Sequence, residues 1–372
     1  MREWKEMMGK DGKQMKLQML CAIIWTSLFA CSDPKASQSE LEKANVGLLP
    51  VPKGVAQDSL RIATLNMSVG WHAEDLVLKT LTDSLVVFHA LKDLYSQYQA
   101  TEPSRRMRAT ATSLLQSSLD VICLQETQSM FAGDTVQFHY VDSLLQAMRN
   151  LDSTRHWTVF RQSMNRVKLS VDSAGNNMAL EFYEGNAILV DERLSVLTGT
   201  DMQAEFNAQV KFNILTEAVG STRGYQKLVV RTPGGALWQL FNTHLEIAIL
   251  PNNMLQGQEL NEAVWDAWQN LDSGAQVVVG DLNSESGEGG VGAMTSTKTG
   301  LVDLWTLGSQ SDSLGFTCCV PDFSSPAADY DRRIDYVLAR NILPGGAVER
   351  IPLFQDGFWG SDHALLKATL YQ

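Results

Sequence analysis

Short apolar runs in this chain keep ending on, or starting from, the same few polar residues. Asn66 closes RIATLN, and Gln125 and Glu126 close VICLQE. Asn242, Thr243 and His244 close LWQLFNTH, and Asp281 and Asn283 close VVVGDLN. Asn186 sits in GNAIL, Asp335 in RRIDYVL, and Asp362 with His363 opens the last run in GSDHALL. A single case would reflect turn chemistry, since strand ends need Asn and Asp. The recurrence, with Glu and His included, asks for more than turns. It requires a fold that brings several strand ends to one place.

The pattern between these ends is mixed. Leu60–Val69 alternates as a strand, Ala73–Tyr98 has helical spacing, and Pro103 opens a second helix to about Ser118. DVICLQE and AQVVVGDLN read as buried strands, and VDSLLQAMRNL and MLQGQELNEAVWDAWQNL as helices. HWTVFRQ, MALEFY, NAILVD, FTCCV, RIDYVLAR and ALLKATLY read as further strands. YQKLVVRTPGGALWQLFNTHL is a hairpin pattern about Pro233-Gly234-Gly235. No repeat or linker interrupts residues 60–372, which argues for one α/β domain with antiparallel character. At 44% apolar and 19% charged residues, the chain can bury a sizeable core. A net charge of −12 and a pI near 5.0 give no footprint for tight, sequence-independent nucleic-acid binding. They leave room for an enzyme that touches a phosphodiester through a small local site.

The N-terminus predicts export. Leu17–Ala30 follows Lys16 and is too short for a membrane span, but has the shape of a signal-peptide core. It ends in LFAC, which resembles a bacterial lipobox, with Cys31 as the lipid-bearing residue. The plainer reading is an ordinary signal peptide that contains Cys31. Residues 1–14 mix acids and bases unlike the start of a signal, so Met15 is the alternative first residue. The expected organisation is a signal over 1–31, a tether over 32–59 and a catalytic domain over 60–372, held at a bacterial membrane, periplasmic or on the cell surface. Cys123, in an apolar run, reads as an inert core thiol. Adjacent Cys318 and Cys319 leave a vicinal disulfide and two free thiols both open.

In order, TLN, LQE, GNAIL, NTHL, GDLN, RIDYVL and SDH resemble the endonuclease/exonuclease/phosphatase superfamily, which includes deoxyribonuclease I, abasic-site endonucleases, neutral sphingomyelinases and inositol-polyphosphate phosphatases. The resemblance runs from about Leu60 to Gln372. It implies an α/β (α+β) four-layer sandwich, two packed mixed or antiparallel β-sheets flanked by helices, with the site in the strand-end loops. Phosphate-ester hydrolysis needs charge neutralisation on the phosphoryl oxygens, an oriented water and help for the leaving oxygen. Oxygen ligands such as Glu126 suit Mg2+, with Mn2+ as the alternative. The resemblance makes Glu126 the principal metal ligand with Asn66 beside it, and Asp362 a ligand of a second metal. It gives Asp281 the attacking water, Asn283 a phosphate oxygen, His244 the scissile phosphate, and His363 either a phosphate contact or acid/base catalysis, with Asp335 orienting His363. Asn186 and Arg332 are candidate phosphate contacts, although Asn186 also reads as a turn residue and Asp335 as an ion-pair partner of Arg332 or Arg333.

The substrate stays open at this level: a phosphodiester in nucleic acid, or a small or lipid phosphate ester. A third reading is a non-catalytic surface-binding lipoprotein on the same fold, disfavoured because every motif residue is present. Arg332-Arg333 is the one close basic cluster near the motifs. Phe354, Phe358 and Trp359 precede SDH and are candidates to contact a base or lipid chain, or to pack a turn. The tryptophans of VWDAWQNL read as helix core, His72, His89, His139 and His156 receive no role, and the chain is expected to act as a monomer.

Overall fold

The computed structural model describes residues 58–70, 84–132, 135–173, 176–214, 217–247, 251–271, 274–296, 299–308, 314–320, 322–327 and 329–372. The expected signal, Cys31 and nearly all of the tether lie outside the described residues, as do 73–83 of the expected first helix.

In chain order the elements are β1 (Ser59–Asn66), α1 (Ser84–Ala100), α2 (Pro103–Gln116), β2 (Val121–Gln125), β3 (Ser129–Ala132), β4 (Thr135–His139), α3 (Tyr140–Leu151), β5 (Trp157–Ser173) and β6 (Asn176–Asp191). They continue with β7 (Ser195–Val196), β8 (Met202–Glu205), β9 (Val210–Ile214), β10 (Glu217–Ser221), β11 (Gly224–Arg231), β12 (Leu237–His244), α4 (Pro251–Gln269) and β13 (Ala275–Asp281). The last are α5 (Gly289–Met294), β14 (Val302–Asp303), β15 (Asp335–Arg340), β16 (Leu343–Ile351), β17 (Phe354–Gln355), β18 (Phe358–Trp359) and β19 (Leu365–Tyr371). One large sheet runs β16-β19-β1-β2-β6-β3-β4, with β5 also on β6; the other runs β14-β15-β13-β12-β11-β7, with β8 also on β11.

Strand periodicity builds the layers. In β2, Val121 and Cys123 point inward between the sheets, while Ile122 and Leu124 point outward to the helices. Both faces are covered, which is why this strand reads as an unbroken apolar run. Between the sheets Leu60, Ile62, Ile188, Leu240, Val277 and Trp238 form one core. Leu91 of α1, Leu114 of α2 and Leu144 of α3 close the outer face of the first sheet. Leu260 and Val264 of α4 close the second, over Phe241 and Val278. The result is the expected four-layer sandwich. Trp238 is fully buried, and truncating it to Ala costs about 3–5 kcal/mol.

Topology then gathers the polar ends. β1 and β2 are parallel, with Asn66 opposite Gln125. β12 and β13 are parallel, with His244 opposite Asp281. β15 runs against β13 with Asp335 opposite Asp281, and β19 runs against β1, so the start of each returns to that same edge.

Three expectations change. FTCCV forms no strand but an irregular segment with one bridge, Cys318 to Arg332, because its backbone is spent on the loop before β19: Val320 N donates to Asp362 O (2.9 Å) and Ala364 N to Thr317 O (2.8 Å). MALEFY and NAILVD are one strand, β6, paired with β5 along its length through a bulge between Ser163 and Asn165. Trp265 and Trp268 are half-buried rather than core, with the Arg340 guanidinium 4.0 Å above the Trp268 ring.

Candidate active site

Asn66 stands between the two central carboxylates. Its Nδ2 donates to Glu126 Oε1 (2.9 Å) and to Asp281 Oδ2 (3.0 Å), while its Oδ1 accepts from Ser68 N (2.9 Å). In this arrangement Asn66 orients Glu126 and offers it an N–H. Glu126 Oε2 accepts from Val69 N (2.7 Å), and Asp281 Oδ1 from Asn283 N (2.8 Å). Ser68, Glu126 and Asn283 hold left-handed backbone, with φ of 57°, 52° and 49°. Non-glycine residues adopt it rarely and at some cost, and such positions concentrate at functional sites.

The two imidazoles are held in opposite charge states. His244 is buried, and Arg223 Nη1 donates to its Nδ1 at 2.8 Å. A guanidinium can only donate, so Nδ1 accepts and the neutral ring carries its proton on Nε2. Burial, the Arg223 cation and His363 hold His244 well below the usual histidine range. Its Nε2 lies 3.6 Å from Asp281 Oδ2 and 4.0 Å from Glu126 Oε1. Asn283 closes the group, its Nδ2 3.0 Å from that nitrogen and donating to Leu245 O at 3.0 Å. His363 donates from Nδ1 to Asp335 Oδ2 at 2.8 Å and sets Nε2 4.0 Å from Asp281 Oδ2. Burial opposes its charge, but Asp335, Asp362 and Asp281 outweigh burial and hold it well above the usual range. These carboxylates therefore favour the charged form of His363.

The carboxylates are crowded. Burial and Asp335 push Asp281 up to about 7, against the pull of His363, Asn66 and the Asn283 N–H. Burial, Glu184 and Asp362 raise Glu126 as well. Asp335 Oδ1 is buried without a hydrogen-bond partner, and ligand atoms of Asp281, Asp335 and His363 lie within 4.8 Å of one another. A buried carboxylate oxygen without a partner has room for a positive one. The donors are oxygen-rich, so the residues fit a hard divalent cation. Glu126, with 19% of its side chain exposed against 2% for Asp281, is the more accessible of these two carboxylates.

The other expected residues divide. Asp362 is half-buried, next to Ser361, and raises both Glu126 and His363. Asn186 is buried and donates to Gln162 Oε1 (3.3 Å) from within β6, so it is not a turn residue. The basic pair splits: Arg332 is exposed beside Asp331 and 3.5 Å from Cys319 Sγ, whereas Arg333 is buried on Asp303 at 2.7 Å. Asp335 pairs with His363 and not with either arginine. Phe358 and Trp359 are buried and pack against Phe323 and Tyr330, so they pack a turn. Cys318 and Cys319 form a vicinal disulfide beside His363, and the Cys123 thiol is buried and pushed up by burial.

Sequence reasoning missed Arg223, Glu184 and Ser361. Arg223 pairs with Glu184 at 2.9 Å behind His244. Ser361 Oγ donates to Asn66 O (2.6 Å) and accepts from His363 N (3.1 Å), which joins the β1 end to the entry of β19. Ser361 lay within a quoted motif and could have been read from it. Arg223 carried no local signal.

Two stacked sheets whose strand ends assemble paired carboxylates, amides and two imidazoles of unlike charge define a hydrolase acting on phosphoester bonds. The chain belongs to the endonuclease/exonuclease/phosphatase family, whose model matches residues 63–363. Among solved structures it is similar to TDP2 from C. elegans, with 17% identity and a TM-score of 0.54 over 90% of this chain and 80% of that one. It is also similar to the human Nocturnin catalytic domain with bound sulfate, at 15% identity and a TM-score of 0.50 over 85% and 98% of the two chains. A family protein from Bacteroides thetaiotaomicron gives 13% identity and a TM-score of 0.51 over 85% and 96%. At these identities the likeness is one of fold. None of the curated proteins compared matches it in sequence.

Proposed function

We propose that this chain is a Mg2+-dependent phosphodiesterase, with Mn2+ as the alternative cation, that acts as a monomer. The observation that carries the reading is the convergence of two imidazoles on one carboxylate: His244 Nε2 lies 3.6 Å and His363 Nε2 4.0 Å from Asp281 Oδ2, and Asn66 Nδ2 links that oxygen to Glu126. Glu126 and Asp362 would hold the cation, which supplies charge neutralisation for the phosphoryl oxygens. Asp281 takes a proton from the attacking water at Oδ2, the oxygen nearest both imidazoles. His244 Nε2–H and the Asn283 amide donate to a phosphoryl oxygen as negative charge grows on it. His363 gives its Nε2 proton to the leaving oxygen, with Asp335 holding the ring. One P–O bond forms to water and one breaks to the leaving group, and the protons balance between Asp281 and His363.

A second reading has specific support. Arg333 is consumed by Asp303 and Arg332 lies beside Asp331, so this pair offers little to a polyanion. With a net charge of −12, this favours a small or lipid phosphate ester over nucleic acid. We also propose that Cys31 bears lipid and holds the enzyme at a bacterial membrane, periplasmic or surface-exposed. Incorporation of a labelled fatty acid, lost in Cys31→Ala, tests that placement; equal labelling of the variant would remove it.

The catalytic reading is tested by product release from bis-p-nitrophenyl phosphate, p-nitrophenyl phosphate and plasmid DNA, with Mg2+ and with EDTA. EDTA-sensitive diester cleavage is expected. Monoester cleavage alone would replace it with a phosphatase, and silence from folded protein would favour a binding role.

A further inference from the structure

Arg106 lies outside every motif, on α2, and is fully buried. Its guanidinium reaches two separate loops of the site. Nη2 donates to Met67 O and to Ser68 O (2.7 Å), in the turn that follows Asn66. Nε donates to Gly360 O (3.2 Å), just ahead of Ser361, Asp362 and His363. Nη1 donates to Tyr140 OH (3.2 Å), and that hydroxyl donates onward to Val69 O (3.2 Å), the residue whose N–H holds Glu126. The plane lies over the Phe323 ring at 4.5 Å.

We propose that Arg106 is a positioning residue for the phosphoester site: one buried guanidinium sets the spacing between the Asn66–Glu126 side and the Asp362–His363 side. A fork of five fixed donors can serve three carbonyls in different directions, which an ammonium cannot. Burying a cation is costly, and an apolar side chain would fill the same space more cheaply, so packing alone does not explain it. The backbone around it is shaped to match. A Cβ at Gly70 would stand 2.7 Å from Arg106 Nη1, and one at Gly360 would stand 2.4 Å from Thr110 Oγ1 on the same helix. Both loops thus lie against α2 with glycine at the point of closest approach.

The inference rests on the phosphodiesterase reading for its effect on turnover, but its test does not. Arg106→Lys keeps the charge and loses the fork. Three quantities are read on the full chain: kcat and KM on bis-p-nitrophenyl phosphate, Mn2+ affinity by electron paramagnetic resonance, and amide exchange by mass spectrometry. The expected result is a loss of about tenfold or more in kcat and about tenfold in Mn2+ affinity, with KM little changed. Exchange should quicken in residues 66–70 and 360–364, while Val277–Val279 in β13 stays protected. If the wild type cleaves no diester, the phosphodiesterase reading fails, and Mn2+ affinity and exchange still decide the clamp. Mn2+ affinity and loop exchange at wild-type levels in folded Arg106→Lys would overturn it. If that variant does not fold, Tyr140→Phe, which removes the hydroxyl that joins Arg106 to Val69, should shift the same two readouts in the same direction; no shift would overturn the proposal.

Discussion

His363 Nδ1 donates to Asp335 Oδ2 at 2.8 Å, and this contact decides which of the two imidazoles carries charge. Asp335→Asn keeps the shape and removes the carboxylate, so the His363 imidazolium loses its main support. The expected result is a fall in kcat of about a hundredfold, with the alkaline limb of the pH profile moved to lower pH. Steady-state kinetics across pH checks both.

Asp281 gives the acid limb. Burial and Asp335 raise it to about 7, so below that pH the carboxyl is protonated and cannot accept a proton from water. A bound cation lowers that value, so the acid limb of diester turnover should lie below about pH 7 and move to higher pH as Mg2+ is made limiting, with a fall at high pH where His363 loses its proton. Asp281→Asn should leave no acid limb. An acid limb that persists in folded Asp281→Asn would exclude Asp281 as the base.

Behind His244, Arg223 is half-buried against Glu184 and faces Glu246 at 3.9 Å. Arg223→Met leaves these carboxylates without their cation and frees His244 Nδ1. Stability should drop by about 3 kcal/mol in urea unfolding, and turnover should drop with it, because the Nε2–H form is no longer enforced.

At the opposite end of the strands, Asp191 accepts from Arg193 and Arg155, and Asp120 from Arg61. Burial pushes Asp191 up, but the two arginines outweigh it and hold the carboxyl below its ordinary range. A depressed carboxyl contributes stability above its unfolded pKa of about 3.9 and loses it as pH falls through the folded value. Thermal unfolding should show a steeper acid loss in wild type than in Asp191→Asn; parallel curves would contradict this.

The layers and much of the site were legible because polar residues at the ends of apolar runs stand out locally. Glu126, Asp281, Asp335 and His363 all ended strands or opened them, and the parallel pairs β1-β2 and β12-β13 brought them together. Arg106 and Arg223 were not legible. Each meets partners distant in sequence, as Arg106 meets Gly360, and a lone arginine on a polar helix reads as a solvated face. FTCCV misled for a related reason. Its β-branched and cysteine-rich composition suits a strand, but its backbone hydrogen bonds are divided between Asp331–Arg332 and the loop that carries Asp362. Phe358 and Trp359 looked available because their covering residues, Phe323 and Tyr330, lie across that same loop.

The most direct test is Mg2+-dependent p-nitrophenol release from bis-p-nitrophenyl phosphate by wild type, Glu126→Gln and His363→Ala, with thermal unfolding measured on each. Turnover that EDTA abolishes, and that both variants lose while remaining folded, is the expected result. Near-normal turnover in folded Glu126→Gln or His363→Ala, or activity untouched by EDTA, would contradict a cation-assisted site built on these residues.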